Sequence, residues 1–304
     1  MNSFSNEKCA MPMIDVQIIA GKRLDVLNEC LKRVLAQKDF INQIFVANNT
    51  GEPLDIKHPL ITISDNEKPL TFESNHNLLS LRGDAEYVLF LDDDAFIYPG
   101  CIETLLLRIM NDPSILLVSG VNNQIYRPVN TDMEIPKVAR IEDFLAREAF
   151  YMELSMNLLA EKRDVWYERV FTPGSLILTR RNTWQHLYGG WDEGYQNWNE
   201  EVDFVLWGYE NGLKTLFTPG VWYFHCLSSS RQSERLLGDI HSSSLRFLEK
   251  FKDERLVAIR KSLYKVNPDL VAQLDGIIGF NRQCSCPEQV AASDYYVKIM
   301  RHLS

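Results

Sequence analysis

Three carboxylates stand side by side in the stretch YVLFLDDDAF, where Asp92, Asp93 and Asp94 follow an apolar run ending at Leu91. At neutral pH such groups repel one another, and burial raises the cost of keeping them charged. A positive partner resolves the conflict. Hard divalent cations such as Mg2+ and Mn2+ choose carboxylate oxygens and commonly share them with a substrate's phosphates. The plain alternative is an acidic turn ahead of the helix that starts near Pro99, since Asp caps helices well. The apolar strand before the triplet favours the cation, because it sets the acids at the tip of a buried element.

A second acidic group lies in GGWDEGYQNWNEEVDF, residues 189–204. Asp192, Glu193, Glu200, Glu201 and Asp203 stand there among Trp191, Tyr195 and Trp198. Aromatic faces beside carboxylates suit a sugar, whose C–H faces stack while its hydroxyls form hydrogen bonds. A solvated turn followed by a helix with Glu in its first turn accounts for Glu200 and Glu201, but not for so many large aromatics. Trp191 and Trp198 are therefore candidates for an acceptor platform, with a core position as the alternative. His225 ends the apolar run in WYFHC. A lone histidine near a core is commonly structural. After an acidic cluster and a strand it becomes a candidate third metal ligand, and imidazole leans the site toward Mn2+.

The elements that must position these residues alternate along the first 125 positions. Residues 14–20, 43–49, 59–66 and 87–94 and the run ILLVSGVNN read as strands. Between them, 25–37 is an amphipathic helix with Leu27, Cys30, Leu31, Val34 and Leu35 on one face. A polar helix is expected over 71–83, and another after Pro99. This alternation predicts an α/β fold with a mainly parallel, Rossmann-like sheet and helices on both faces. Ligands of such sheets bind beyond the carboxyl ends of the strands, where Asn48, Asn49 and the aspartates fall. Residues 140–164 form a long mixed-charge amphipathic segment, read first as a helix packed on the sheet. Short strands and glycine turns return over 170–225, and the tail from 226 to 304 contains the helix-like LLGDIHSSSLRFLEKF and ends in a polar segment.

The chain has 304 residues, 45% hydrophobic and 24% charged, an ordinary globular composition. Its formal net charge of −9 argues against nucleic-acid binding. Six cysteines are too sparse for a disulfide scaffold, and the CSC at 284–286 lacks a second Cys or His pair to complete a metal site. No signal peptide or membrane span is evident, so a cytoplasmic protein is expected, with peripheral association at the inner face of a membrane left open.

In order and spacing these motifs resemble the family 2 glycosyltransferases, inverting, nucleotide-sugar-dependent enzymes of GT-A fold. The resemblance runs from about 14 to 250. It implies a nucleotide-sugar-binding half over 1–125, an acceptor-binding and catalytic half over 126–227, and a C-terminal helical extension over 228–304. VQIIAGKRLD resembles the family's opening strand and places Ala20 at the donor site. VANNTG resembles its nucleotide-contacting turn, pointing to Asn48 and Asn49, with Asn48 where an acidic residue is usual. SNHNLL resembles its Arg-Asn pair, which implies donor contacts for His76 and Asn77. LDDDA matches the Asp-x-Asp signature, so Asp92 and Asp93 face the donor while Asp92, Asp94 and His225 hold Mn2+ or Mg2+. Gly190, Trp191, Asp192 and Trp198 fall on the acceptor side. Glu201 falls on the catalytic base, where Asp is common, and Glu200 on its acidic neighbour.

The function implied is transfer of a hexosyl group from a nucleotide-diphosphate sugar, UDP-linked by analogy, to a hydroxyl of a saccharide or glycoconjugate, as in polysaccharide biosynthesis. Two rivals differ in what they need. A sugar-phosphate nucleotidyltransferase calls for a glycine-rich basic loop after the first strand, and IIAGKRLDVL offers one glycine and two basic residues. A non-catalytic carbohydrate-binding protein needs no acidic triplet and acidic pair together.

Overall fold

The computed structural model describes residues 12–123, 140–159, 164–196, 198–226 and 233–285. Nine strands form one sheet: β1 (Ile14–Ala20), β2 (Ile41–Asn48), β3 (Ile61–Asp65), β4 (Tyr87–Asp92), β5 (Ala95–Ile97), β6 (Ile115–Asn122), β7 (Tyr167–Glu168), β8 (Leu176–Arg180) and β9 (Lys214–His225). Their order is β3-β2-β1-β4-β8-β6-β9-β5, with β7 also on β9. The pairs β1–β2, β1–β4, β2–β3 and β6–β9 are parallel. Those of β4–β8, β6–β8, β5–β9 and β7–β9 are antiparallel. The α/β class and the mainly parallel sheet stand: β3, β2, β1, β4, β6 and β9 run in one sense, and β8, β5 and β7 run against it. Strand period and hydrophobicity do not encode direction, and β8 inserts against its neighbours' sense between β4 and β6.

Among the described residues eight α-helices flank the sheet: α1 (Leu24–Leu35), α2 (Phe72–Ser80), α3 (Cys101–Met110), α4 (Ile141–Leu159), α5 (Glu200–Glu210), α6 (Ser233–Lys250), α7 (Asp253–Val266) and α8 (Pro268–Cys284). β4 shows why both faces are covered. Its residues Tyr87, Leu89 and Leu91 enter one apolar cluster with α1 and α3. Val88 and Phe90 enter a second, with Trp184, Trp191, α5, α7 and α8. Such period-two sharing is what a strand buried on both sides requires. The helices follow their sequence signals. α1 buries Val26, Leu27, Cys30, Leu31 and Val34 along one stripe. Thr71 caps α2 by accepting the Ser74 N–H. Asn267 caps α8 with Pro268 as its first residue.

α4 packs as expected: Phe144 is buried, and Glu148 binds the Arg33 guanidinium of α1 at 2.6 and 2.9 Å and the Tyr98 hydroxyl. Residues of α7 and α8 enter the second of these clusters, and strands from both sides of residue 125 share one sheet. Cys30, Cys101, Cys226 and Cys284 are buried free thiols; Cys9 and Cys286 lie outside the described residues. Among the described residues no helix is long and apolar enough to cross a membrane.

Candidate active site

β4 delivers the acids to the edge. It ends at Asp92, the chain turns through Asp93 and Asp94, and β5 pairs antiparallel with β9 so that Ala95 faces His225. That pairing brings residues distant in sequence together. His225 Nε2 lies 2.9 Å from Asp94 Oδ1 and 3.3 Å from Asp92 Oδ2. One ligand atom from each of the three residues falls within 4.8 Å of the others. Backbone bonds hold the group. The Asp92 N–H donates to the Ser175 carbonyl, and the Cys226 N–H to the Asp94 carbonyl. Asn123, at the end of β6, accepts the His225 N–H at 2.7 Å and donates to its carbonyl at 3.1 Å. A bulge in β9 aims this end: the register jumps from Thr218 to Trp222, and Val221 O presses on Gly120, where a Cβ would stand 2.3 Å away.

The electrostatics answer the puzzle of three adjacent acids. Asp93 turns away and accepts the Gly21 N–H at 2.6 Å, which ties β1 to β4. Burial and the Asp94 charge nonetheless push its carboxyl above the ordinary range. Burial also opposes a charged imidazole at His225, but the Asp94 and Asp92 carboxylates outweigh it and raise His225 to about 10. The cluster therefore demands positive charge. Two carboxylates and an imidazole at this separation fit a divalent ion of the Mn2+ or Mg2+ type.

The acidic pair begins α5. Glu200 and Glu201 are nearly buried in its first turn, where the helix dipole favours them. A Cβ built on Gly174 would lie 3.9 Å from Glu201 Cδ. Gly174 precedes the Ser175 whose carbonyl anchors Asp92.

Other expected contacts are placed differently. Ala20 is fully buried at the tip of β1, with its carbonyl accepting the Asn49 N–H. Asn48 donates to Asp65 Oδ1 and the Glu52 carbonyl and accepts from Thr50. Asn49 binds Leu70 at both its N–H and its carbonyl. Both carboxamides thus hold the turns beyond β2 and β3.

His76 corrects the expectation outright. It is fully buried between Phe72 and Phe90, 3.0 Å from the Gln17 side-chain amide, and burial lowers it to about 3. A neutral ring inside a core offers nothing to a donor. Asn77 is also occupied, accepting the Trp191 N–H and donating to the Trp191 carbonyl and Glu193.

That clamp explains the two glycines. Gly189 and Gly190 both have positive φ, and a Cβ on Gly190 would stand 2.7 Å from Asn77 Oδ1. Trp191, expected as a platform, is 2% exposed and packs edge-on against Phe90 and Phe204. It is core, because Asn77 draws its backbone inward. Trp198 is half-buried against Phe280. Asp192 meets no free acceptor surface; it is bound by Arg246 at 3.0 Å and Lys250 at 2.9 Å of α6. Lys250 also binds the fully buried Asp203.

Two residues outside the expected set, Asn123 and Ser175, hold the cluster by hydrogen bonds to His225 and Asp92. Asn123 had a local signal in the paired asparagines closing β6. The bond of Ser175 to Asp92 had none, since only strand pairing creates it.

A sheet of this order, tipped by an Asp-x-Asp pair and a histidine, defines a GT-A fold, and solved glycosyltransferase structures share it. One is GalNAc-T7 with UDP, GalNAc and Mn2+, at TM-score 0.59 and 13% identity, covering 96% of this chain and 58% of that one. Another is a mannosyltransferase from Pyrobaculum calidifontis in complex with GDP-Man and Mn2+, at TM-score 0.55 and 14% identity, covering 96% and 85%. Residues 15–148 match the family described as glycosyl transferase family 2. The chain thus spans 58% of the length of GalNAc-T7. No curated protein matches it in sequence.

Proposed function

We propose that the protein transfers a hexosyl group, with inversion, from a nucleoside-diphosphate sugar to a hydroxyl of a saccharide or glycoconjugate. The observation that supports this best is the gathering of Asp92, Asp94 and His225 at one edge of the sheet, with one ligand atom of each within 4.8 Å of the others. Asp92, Asp94 and His225 would hold a divalent cation, Mn2+ or Mg2+. Such an ion, when bound, supplies positive charge to a departing diphosphate as a Lewis acid.

Glu201 takes the proton of the acceptor hydroxyl while the acceptor oxygen bonds to the anomeric carbon. On the opposite side the bond from that carbon to the diphosphate oxygen breaks, and the nucleoside diphosphate leaves with the electron pair. A single displacement of this kind inverts the centre. Glu200 adds negative charge beside the base, and the turns built by Asn48 and Asn49 shape the donor wall. The neighbours carry UDP and GDP-Man respectively; UDP is the favoured donor nucleotide on the family resemblance.

The test is thermal stabilisation by UDP and GDP, each with and without Mn2+, in the natural protein and in Asp94→Ala. Metal-dependent stabilisation that vanishes in Asp94→Ala is expected, and no stabilisation by either nucleotide overturns the reading. Glu201→Gln should lower turnover by about 10²–10⁴-fold while nucleotide binding persists; unchanged turnover removes Glu201 from the base role.

A further inference from the structure

We infer that Asn281, on the last helix α8, is a positioning residue for the acidic pair, so that the C-terminal helices set the geometry of the reaction. The inference rests on the role proposed above for Glu201.

Asn199, immediately before α5, is the one non-glycine with positive φ among the described residues, at 73°. Asn enters this region more readily than most residues, yet such a conformation persists only where its surroundings impose it. The usual reason for Asn ahead of a helix is a side-chain oxygen that accepts an N–H of the first turn. Here no such bond forms. The carboxamide turns instead to α8, where Asn199 Nδ2 donates to Asn281 Oδ1 at 2.7 Å and Asn281 Nδ2 donates back to Asn199 Oδ1 at 3.3 Å. Asn281 also donates to the Ile277 carbonyl at 3.0 Å, which fixes its own rotamer. Asn281 is fully buried and Asn199 nearly so.

The preceding residue repeats the contact, since Trp198 packs on Phe280 with ring centroids 5.5 Å apart. Two successive residues before α5 therefore dock on two successive residues of α8. The Asn199 carbonyl in turn accepts the Asp203 N–H, the opening bond of the helix that carries Glu200 and Glu201. Apolar packing alone would hold α5 against α8 but leave its rotation loosely set. A reciprocal amide pair is directional and fixes it. A misplacement of about 1 Å at a reacting group costs on the order of 10²-fold in rate.

The experiment compares the natural protein with Asn281→Leu, Asn281→Asp and the double variant Asn199→Gly with Asn281→Leu. Donor turnover is read as nucleotide release from UDP-GalNAc and GDP-mannose with Mn2+, alongside UDP and GDP affinity and hydrogen exchange of the backbone amides at 202–205. Asn281→Leu is expected to lower kcat about 10²-fold, leave KM and nucleotide affinity within about twofold, and speed exchange at those amides. Asn281→Asp keeps the acceptor for Asn199 and should recover most of kcat. The double variant removes both amides and leaves no buried group unpaired; it should fold and still lack turnover. Unchanged kcat in Asn281→Leu overturns the inference, as does unchanged exchange. A parallel loss of kcat and nucleotide affinity also overturns it, since that marks general loosening. If the natural protein binds neither nucleotide, the proposed function has failed, and exchange alone then decides whether Asn281 anchors α5.

Discussion

Gly190 shows at the scale of one residue how a motif read as chemistry can be backbone geometry. It sits at φ +82° with Asn77 Oδ1 where a Cβ would go. Asn77 in turn holds both the N–H and the carbonyl of Trp191. Gly190→Ala should therefore destabilise the fold by about 1–3 kcal/mol, the usual cost of a side chain in that backbone region. The companion change Asn77→Ala relieves the collision, so the double variant should lose less than the sum of the two single losses. Urea unfolding of the four proteins checks this, and strict additivity would show that the two residues do not meet. The same clamp explains why Trp191 is core and why Asn77 faces no donor: each satisfies the other.

Among the elements, α6 carries an interaction that the acidic stretch 189–204 conceals. Lys250 lies between Asp192, ahead of α5, and Asp203 within it. Asp203 is fully buried, and burial raises its carboxyl even beside that ammonium group. Removing the cation leaves an uncompensated buried charge, which is costlier than the pair is worth. Lys250→Met should accordingly destabilise by about 3 kcal/mol, and adding Asp203→Asn should recover a large part of it. Denaturation midpoints at constant slope measure both. No recovery in the double variant would mean that Lys250 acts through its alkyl stem. The acids of 189–204 thus divide, with Glu200 and Glu201 in the first turn of α5 and Asp192 and Asp203 bound to α6.

Taken whole, the molecule has one sheet threaded by strands from both sides of residue 125, with an apolar cluster on each face and α7 and α8 packed into one of them. β8 lies between β4 and β6, and Leu256, Ile259, Leu263, Leu270, Leu274 and Ile277 share a cluster with Val88 and Phe90. Chemical unfolding should therefore be a single transition, coincident by far-ultraviolet circular dichroism and tryptophan fluorescence. Two separated transitions would restore the C-terminal extension as an independent unit. What could be read from residue order alone was local. Hydrophobic period located the first strands and α1, and Pro99 marked the approach to α3. The apolar run into Asp92, Asp93 and Asp94 announced a charge that needed a partner. Those signals depend on neighbours within a few positions, so they survive in one dimension. The antiparallel entry of β8, the burial of His76 and Trp191, the arrival of Asn123 at His225 and of Asn281 at Asn199 depend on strand pairing and helix packing across the chain. Only the tertiary structure decides these, because residue spacing records which side a side chain faces and not what the fold brings opposite it.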